Sequence, residues 1–171
     1  MASVAISGLF LALCLYAALH DVNRLTIPNW LNLTLAGLFI PAALFSGLPA
    51  EILGGHLLAG CLAFIIAVGL FAARVFGGGD AKMIPAVILW MGPGNSLPFV
   101  YWMAIAGALC AAALLVSKRM VPAAVIPSFM RAPFEAKAGV PYGVAIAAGV
   151  FLAGPASPLL SGLYALIGFA D

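Results

Sequence analysis

Long apolar stretches, separated by short polar segments, constrain this chain more than any other feature of its sequence. Of its 171 residues, 65% are hydrophobic and only 7% are charged, and the mean hydropathy is +1.22. A single soluble core cannot bury that much apolar surface, so the sequence predicts an integral membrane protein. At roughly 20 residues per transmembrane helix, the length allows about six spans. We expect them to form one polytopic domain over residues 1–171.

The predicted spans follow the apolar stretches. They cover about residues 3–20, 29–46, 52–73, 81–91, 97–116 and 140–154. The fourth is short for a full crossing and stops at the sequence GPGN of residues 92–95. Pro155 and Pro158 interrupt the last apolar stretch, because proline removes a helix donor and clashes with the preceding turn. Residues 159–170 are then too short to cross alone and are predicted to be interfacial or re-entrant. The expected fold is an all-α membrane bundle.

The basic residues predict how this bundle is oriented. Short cytoplasmic loops carry an excess of Lys and Arg. With the spans above, all 7 basic residues fall on one side, whereas the opposite side carries Glu51. This places the N-terminus outside. The net charge of +2 is too small to indicate a nucleic-acid partner. The basic residues are Arg24, Arg74, Lys82, Lys118, Arg119, Arg131 and Lys137.

Two carboxylates, Asp21 and Asp80, lie at the ends of apolar segments on the predicted cytoplasmic side. Ionisable groups at membrane depth are rare and mark functional sites. Two neighbouring carboxyl groups share one proton, because both cannot ionise together. Peptide hydrolysis by such a pair needs one ionised acid to take a proton from water and one protonated acid to polarise the scissile carbonyl. The pattern predicts an aspartic peptidase, with neither role assigned to a single residue.

The residues beside the two acids have functional and purely structural interpretations. Gly77 and Gly79, which precede Asp80, would allow positive φ or the close approach of another backbone, such as an extended substrate. Alternatively, they form a flexible turn with Asp80 as the helix N-cap. Pro28 and Asn29 either support the site or simply begin the second span, with Asn29 as its cap.

The nearby charged and polar side chains are expected to have anchoring or structural roles by default. Arg24 is expected by default to anchor the cytoplasmic side, with pairing to Asp21 or to lipid phosphate as the alternatives. Lys82, two residues past Asp80, would not face it on a helix, and it is expected to extend its charge to the membrane surface. His20 is expected to be a satisfied interfacial group, and His56 to lie near the opposite face. The three cysteines are interpreted as small core residues, and Trp90 as one of several interfacial aromatic residues.

The motifs are more specific together than singly. Residues 20–33, with Asp21, Arg24 and the sequence IPN, and residues 76–85, with the pattern GxGDxK, resemble the type IV prepilin peptidase family. The sequence VPYG at residues 140–143 resembles the family's late Pro-Tyr/Phe-Gly element. The short length and the absence of a cysteine-rich insert are similar to the compact members associated with Flp/Tad pili.

The resemblance implies an aspartic endopeptidase in the inner membrane that cleaves the leader of prepilins or pseudopilins at the cytoplasmic face. Cleavage would follow a glycine, just before the hydrophobic helix of the substrate. The implied partners are this substrate and the lipid bilayer, with no metal or organic cofactor. Long family members also methylate the new N-terminus, using a region with paired cysteines that this sequence lacks, so methylation is not expected. The implied catalytic residues are Asp21 and Asp80, supported by Gly77, Gly79, Lys82, Arg24, Pro28 and Asn29.

Two other functions fit part of the pattern. A small membrane transporter could use Asp21 and Asp80 as a proton or cation relay, but it would place its acids in the middle of spans. A structural membrane subunit could use Asp80 only as a helix cap, and would then tolerate Asp80→Asn. The identity of the pilin and the oligomeric state stay open.

Overall fold

The structure is a computed structural model that describes residues 1–120, 126–127, 131–135 and 139–169. Within these ranges the regular elements are all helices, which confirms the predicted all-α class. Lys137, in the predicted cytoplasmic loop, lies outside the described residues. The helices are α1 (Ala2–Arg24), α2 (Asn29–Gly37), α3 (Phe39–Ser46), α4 (Ala50–Ala72), α5 (Asp80–Met120), α6 (Tyr142–Ala153) and α7 (Ser161–Leu166), with single 3-10 turns at Ala132–Phe134 and Gly154–Ala156.

Four helical stretches in the described part of the chain are long and apolar enough to cross a membrane. They are α1, the combined stretch Asn29–Ser46, α4 and α5, and a shorter apolar stretch covers Tyr142–Ala156. These helices identify a multi-pass membrane protein. Counting the two halves of α5 and the shorter stretch separately would give six segments, so the number of crossings stays a prediction.

The second predicted span is divided into α2 and α3. The division falls at Leu38, whose N–H donates to the Thr34 carbonyl at 2.9 Å. Pro41 lies in the first turn of α3. Because proline has no N–H, it cannot donate to the Gly37 carbonyl and so cannot continue the helical ladder from α2. Together the two helices form the apolar stretch Asn29–Ser46, which has the bounds predicted for the second segment.

Gly92 divides α5 into two halves that run in opposite directions. Its φ of 71° and ψ of 175° break the helix, at the place where the sequence predicted a boundary. The second half lies along α6, where a Cβ on Gly107 would come within 3.3 Å of Tyr142 and a Cβ on Gly149 within 3.1 Å of Met103. We call the end of the bundle with Asp80 and Tyr142 the carboxylate end, and the other the Gly92 end.

The buried core lies where α1, α5 and α6 meet. Trp90 is fully buried there and stacks on Phe10, with ring centroids 4.2 Å apart. Its indole N–H donates to the Leu35 carbonyl at 2.8 Å. The prediction that Trp90 is interfacial was wrong, because this carbonyl supplies the partner that the indole would otherwise take from water.

The C-terminal segment folds back on the bundle. The Ser7 hydroxyl donates to the Leu159 carbonyl at 2.7 Å, and the Tyr164 hydroxyl donates to the Val150 carbonyl at 3.2 Å. Helix α7 has only 6 residues, so it is too short to cross a bilayer. By contrast, α4 packs chiefly on α5 and leaves most of its apolar surface exposed.

Candidate active site

Asp21 lies in the last turn of α1 and is almost completely buried, with 5% of its surface exposed. Its Oδ2 accepts the backbone N–H of Gly143 at 2.7 Å. Gly143 is the second residue of α6, and the N-cap of that helix, Pro141, provides no side-chain cap. Asp21 therefore caps α6 from another helix and satisfies one of its free N–H groups. The positive end of the α6 dipole also favours a negative charge here.

Gly143 leaves no space for a side chain beside this carboxylate. A Cβ at position 143 would lie 2.9 Å from the Cβ of Asp21, 3.1 Å from its Oδ2 and 3.2 Å from the Ala17 carbonyl oxygen. Helices α1 and α6 are thus in close contact where the carboxylate is held. Sequence reasoning found the VPYG element only through the family resemblance. The physical signal that could have indicated this contact is Gly143 itself, a glycine in the first turn of a helix that has no side-chain cap of its own.

Asp80 is the first residue of α5 and is half-buried. The turn before it is closed by the Ala81 N–H, which donates to the Gly77 carbonyl at 3.0 Å. A Cβ on Gly77 would lie 3.0 Å from Asp80 Oδ2, so this glycine is in close contact with the carboxylate. Phe76, four residues before Asp80, packs against Tyr142, which precedes the partner of Asp21, with ring centroids 6.4 Å apart. Asp21 and Asp80 therefore lie at the same end of the bundle.

Gly79 is where the two sequence motifs touch. A Cβ at Gly79 would lie 3.0 Å from the Cβ of Ile27 and 3.2 Å from its backbone nitrogen. Another backbone does approach Gly79 closely, but it belongs to the chain's own loop, and the approach of an extended substrate stays a prediction. The expectation of positive φ was wrong, because the described glycines with positive φ are Gly47, Gly92 and Gly168.

The loop after Asp21 is fixed by local hydrogen bonds. Leu25 ends α1 in the left-handed region, at φ 51° and ψ 36°, and its N–H donates to the Asp21 carbonyl at 2.8 Å. The Nδ1 of His20 donates to the Thr26 carbonyl at 2.6 Å, as expected of a satisfied polar group. These contacts direct the chain so that Ile27 reaches Gly79.

Lys82 and Asn29, both predicted to support the site, meet each other. The Lys82 Nζ donates to Asn29 Oδ1 at 2.8 Å and links the start of α5 to the start of α2. Asn29 is the first residue of α2 and Pro28 is its N-cap, without a side-chain cap bond. The expectation that Asn29 caps this helix was therefore wrong. Arg24 is exposed in the last turn of α1, where a cation complements the negative end of the helix dipole.

The other titratable groups do not add a metal centre to this site. Among the described residues, no three His, Cys, Asp or Glu side chains are grouped to hold a metal ion. Cys14 is buried in the core as expected, whereas Cys61 is exposed on α4, so the core prediction was wrong for Cys61. His56 lies at the Gly92 end, where its Nδ1 contacts the Leu89 carbonyl at 2.9 Å.

The fold and the site define a helical membrane protein with two carboxylates, Asp21 and Asp80, at one end of its bundle. The sequence model of the type IV leader peptidase family matches residues 8–112, which is more than half of the chain, and the chain belongs to this family. The matched range includes both Asp21 and Asp80. No significant match was found among curated proteins or among solved structures. Family membership supports a leader-peptidase-like function and does not favour a transporter.

Proposed function

We propose that this protein is an aspartic endopeptidase that removes the leader peptide from prepilins, of the Flp/Tad type, at the cytoplasmic face of the inner membrane. Asp21 and Asp80 are the catalytic pair. The observation that supports this most directly is that two carboxylates from different helices, at positions 21 and 80, lie at the same end of the bundle. Asp21 holds the start of α6 through Gly143, and the neighbouring Tyr142 contacts Phe76 in the segment that leads to Asp80. Such an arrangement is the one that acid–base hydrolysis of a peptide requires.

The reaction needs only water and the two carboxyl groups. The ionised carboxylate takes a proton from water as the water oxygen bonds to the scissile carbonyl carbon, and the protonated partner donates its proton to the carbonyl oxygen. The resulting diol returns one proton to the second acid, while the first acid protonates the amide nitrogen and the C–N bond breaks. The dyad ends with one shared proton, as it began.

The distribution of charge supports the cytoplasmic orientation. Arg24, Arg74 and Lys82 lie at the ends of helices around the carboxylate end, and Lys118 and Arg119 lie in the last turn of α5. Glu51 begins α4 at the opposite end. Because basic residues are retained on the cytoplasmic side, this distribution supports a cytoplasmic position for the dyad, on the side where a prepilin leader would be presented.

Cleavage of a Flp-type prepilin in membrane vesicles tests the proposal. We expect Asp21→Asn and Asp80→Asn each to abolish processing, because an amide cannot exchange the required proton. Glu51→Gln is the matched control, since it removes a negative charge at the other end of α4 and should leave processing intact. Protein level and membrane insertion are measured for each variant. Full processing by either aspartate variant would exclude the aspartic mechanism, and mass spectrometry of the product should show an unmethylated N-terminus.

A further inference from the structure

Among the described residues, Asn32 is the buried side chain whose polar atoms have no hydrogen-bond partner. It lies in α2, is 5% exposed, and neither its amide nitrogen nor its amide oxygen is paired. A buried polar group without a partner destabilises a fold, and most strongly in a membrane, where no water replaces the missing bond. A native protein that keeps such a group points to a partner from outside the chain.

Asn32 lines a groove that begins beside the first turn of α5. The groove, which we call the Asn32 groove, has a volume of about 810 Å³ and lies between α2, α4 and α5. Lys82 lies at its polar end, two residues after Asp80, and already donates to Asn29 at 2.8 Å. The α2 residues in the wall recur at the three- and four-residue spacing of one helix face: Asn29, Asn32, Leu33 and Ala36.

A backbone acceptor next to Asp80 lies on the same side of α5. Pro85 is inside this helix and lines the groove. It has no N–H, so it cannot donate to the carbonyl of Ala81, four residues earlier. Because Pro85 lines the groove, this carbonyl lies on the groove side of the helix. Ala81 directly follows Asp80, so the polar end of the groove reaches the turn that carries this carboxylate.

The chemistry of the Asn32 amide selects a peptide segment that is not helical. The amide donates through its nitrogen and accepts through its oxygen, and a peptide group in an extended chain offers the matching C=O and N–H. A membrane helix pairs its own backbone groups internally, and an acyl chain has no such groups. A lipid phosphate accepts hydrogen bonds but does not donate them, so it would leave the amide oxygen unpaired.

The reaction under "Proposed function" requires a segment of this kind. The protonated carboxyl group must reach the scissile carbonyl oxygen, which in an α-helix would accept the N–H four residues later. The residues around the scissile bond are therefore out of helical conformation when they are cleaved. Their N–H and C=O groups then need other partners at membrane depth, and an unpaired amide beside the Asp80 turn is such a partner.

We propose that Asn32 binds the extended backbone of the substrate next to the scissile bond. Its amide nitrogen donates to a substrate carbonyl and its amide oxygen accepts a substrate N–H, while the Ala81 carbonyl accepts another. This inference rests on the proposed function, because it concerns the substrate of the same peptidase. In the free protein the Asn32 amide is already out of water and unpaired, so binding breaks no hydrogen bond of this side chain and its bonds to the substrate add fully to affinity.

Asn32→Leu separates this role from a structural one. Leucine is similar in volume and has no polar atom, so we expect the variant to be at least as stable in detergent as the native protein. Loss of the substrate contact should raise KM about tenfold and change kcat less than threefold. Asn32→Ala removes the same amide without adding apolar volume and should raise KM to the same extent.

Asn95→Leu is the matched control, because it makes the same substitution at a paired amide. The Asn95 nitrogen already donates to the Ala156 carbonyl at 2.9 Å, at the Gly92 end. We therefore expect Asn95→Leu to lower stability and to leave KM unchanged. The two variants should thus differ in opposite directions in the two measurements.

Backbone esters in the substrate identify the contact itself. A synthetic Flp-type prepilin peptide that spans the scissile bond is prepared with one peptide N–H at a time replaced by an ester oxygen. We expect one of these esters to raise KM at least fivefold with the native protein but less than twofold with Asn32→Leu, because the variant has already lost that hydrogen bond. Esters at the other positions should affect both proteins equally.

Two results would overturn the inference. One is a native KM for Asn32→Leu and Asn32→Ala. The other is an equal response of native protein and variant to every ester, which would mean that Asn32 holds water or lipid. Cleavage of the unmodified peptide and of full-length prepilin by the native protein is measured in parallel. If both are cleaved and either result is obtained, the role of Asn32 fails while the proposed function stands, whereas no cleavage of either would mean that the proposed function itself fails.

Discussion

The two ends of the bundle use buried polar side chains in opposite ways. At the Gly92 end, the break in α5 deprives carbonyls of their helical partners, and side chains donate to these carbonyls instead. The His56 Nδ1 donates to the Leu89 carbonyl at 2.9 Å, and the Ser157 hydroxyl donates to the Trp90 carbonyl at 2.8 Å. At the carboxylate end, Asp21 instead accepts a free N–H at the start of α6. Both arrangements satisfy a helix terminus inside a membrane, where an unpaired backbone group costs several kcal/mol.

The comparison separates structural from chemical roles. A hydroxyl or imidazole that donates to a carbonyl completes the helix and offers nothing further. A carboxylate that caps a helix through Oδ2 keeps its second oxygen available for a proton or a water molecule. Polar residues at the Gly92 end should therefore affect stability, whereas those at the carboxylate end should affect cleavage with less effect on folding.

Among substitutions that leave both carboxylates in place, the largest effect is expected from Gly143→Ala. The new Cβ would lie 2.9 Å from the Cβ of Asp21, so the carboxylate must move away from α6. A displacement on the order of 1 Å in a catalytic group can cost about a hundredfold in rate, and we expect a loss of kcat of that size in the vesicle cleavage assay.

Gly149→Ala is the control for this substitution. It places a Cβ on the same helix at 3.1 Å from Met103 and Phe99, away from both carboxylates. We expect reduced stability with normal kcat per folded molecule. Equal losses of kcat in the two alanine variants would show that close packing of α6, and not the seating of Asp21, is what the reaction requires.

A smaller effect on cleavage is expected within the glycine run. Gly79→Ala would bring a Cβ within 3.2 Å of the Ile27 backbone nitrogen, whereas Gly78→Ala would make an ordinary contact of 3.5 Å with Phe71. Because the Ile27 backbone is fixed by its loop, we expect Gly79→Ala to lower kcat about tenfold and Gly78→Ala to lower it less than twofold. If the two variants behave alike, the contact between the loops does not hold Asp80 in place.

Particular residues show how far sequence reasoning reaches. The apolar stretches and their proline and glycine boundaries predicted the helices, and the positions of Asp21 and Asp80 at segment ends predicted a common site. The partner of Asp21 was not predictable in this way, because Gly143 is 122 residues away and contributes a backbone N–H, which nearly every residue has. Trp90 was misplaced for a related reason: its partner is the Leu35 carbonyl, and no sequence pattern shows which carbonyl a buried indole will reach.

His56→Leu is expected to have the smallest effect on cleavage, although it perturbs a buried group. The substitution leaves the Leu89 carbonyl without its donor, because Pro93, four residues later, has no N–H to offer. A buried carbonyl left unpaired costs about 1–3 kcal/mol, so the free energy of unfolding in detergent should fall by about that amount. The kcat of the folded fraction should change less than twofold, since His56 contacts Gly92 and Phe39 at the end away from the dyad. A tenfold loss of kcat with unchanged stability would instead mean that the break in α5 is coupled to the position of Asp80, and the separation of roles between the two ends would then be wrong.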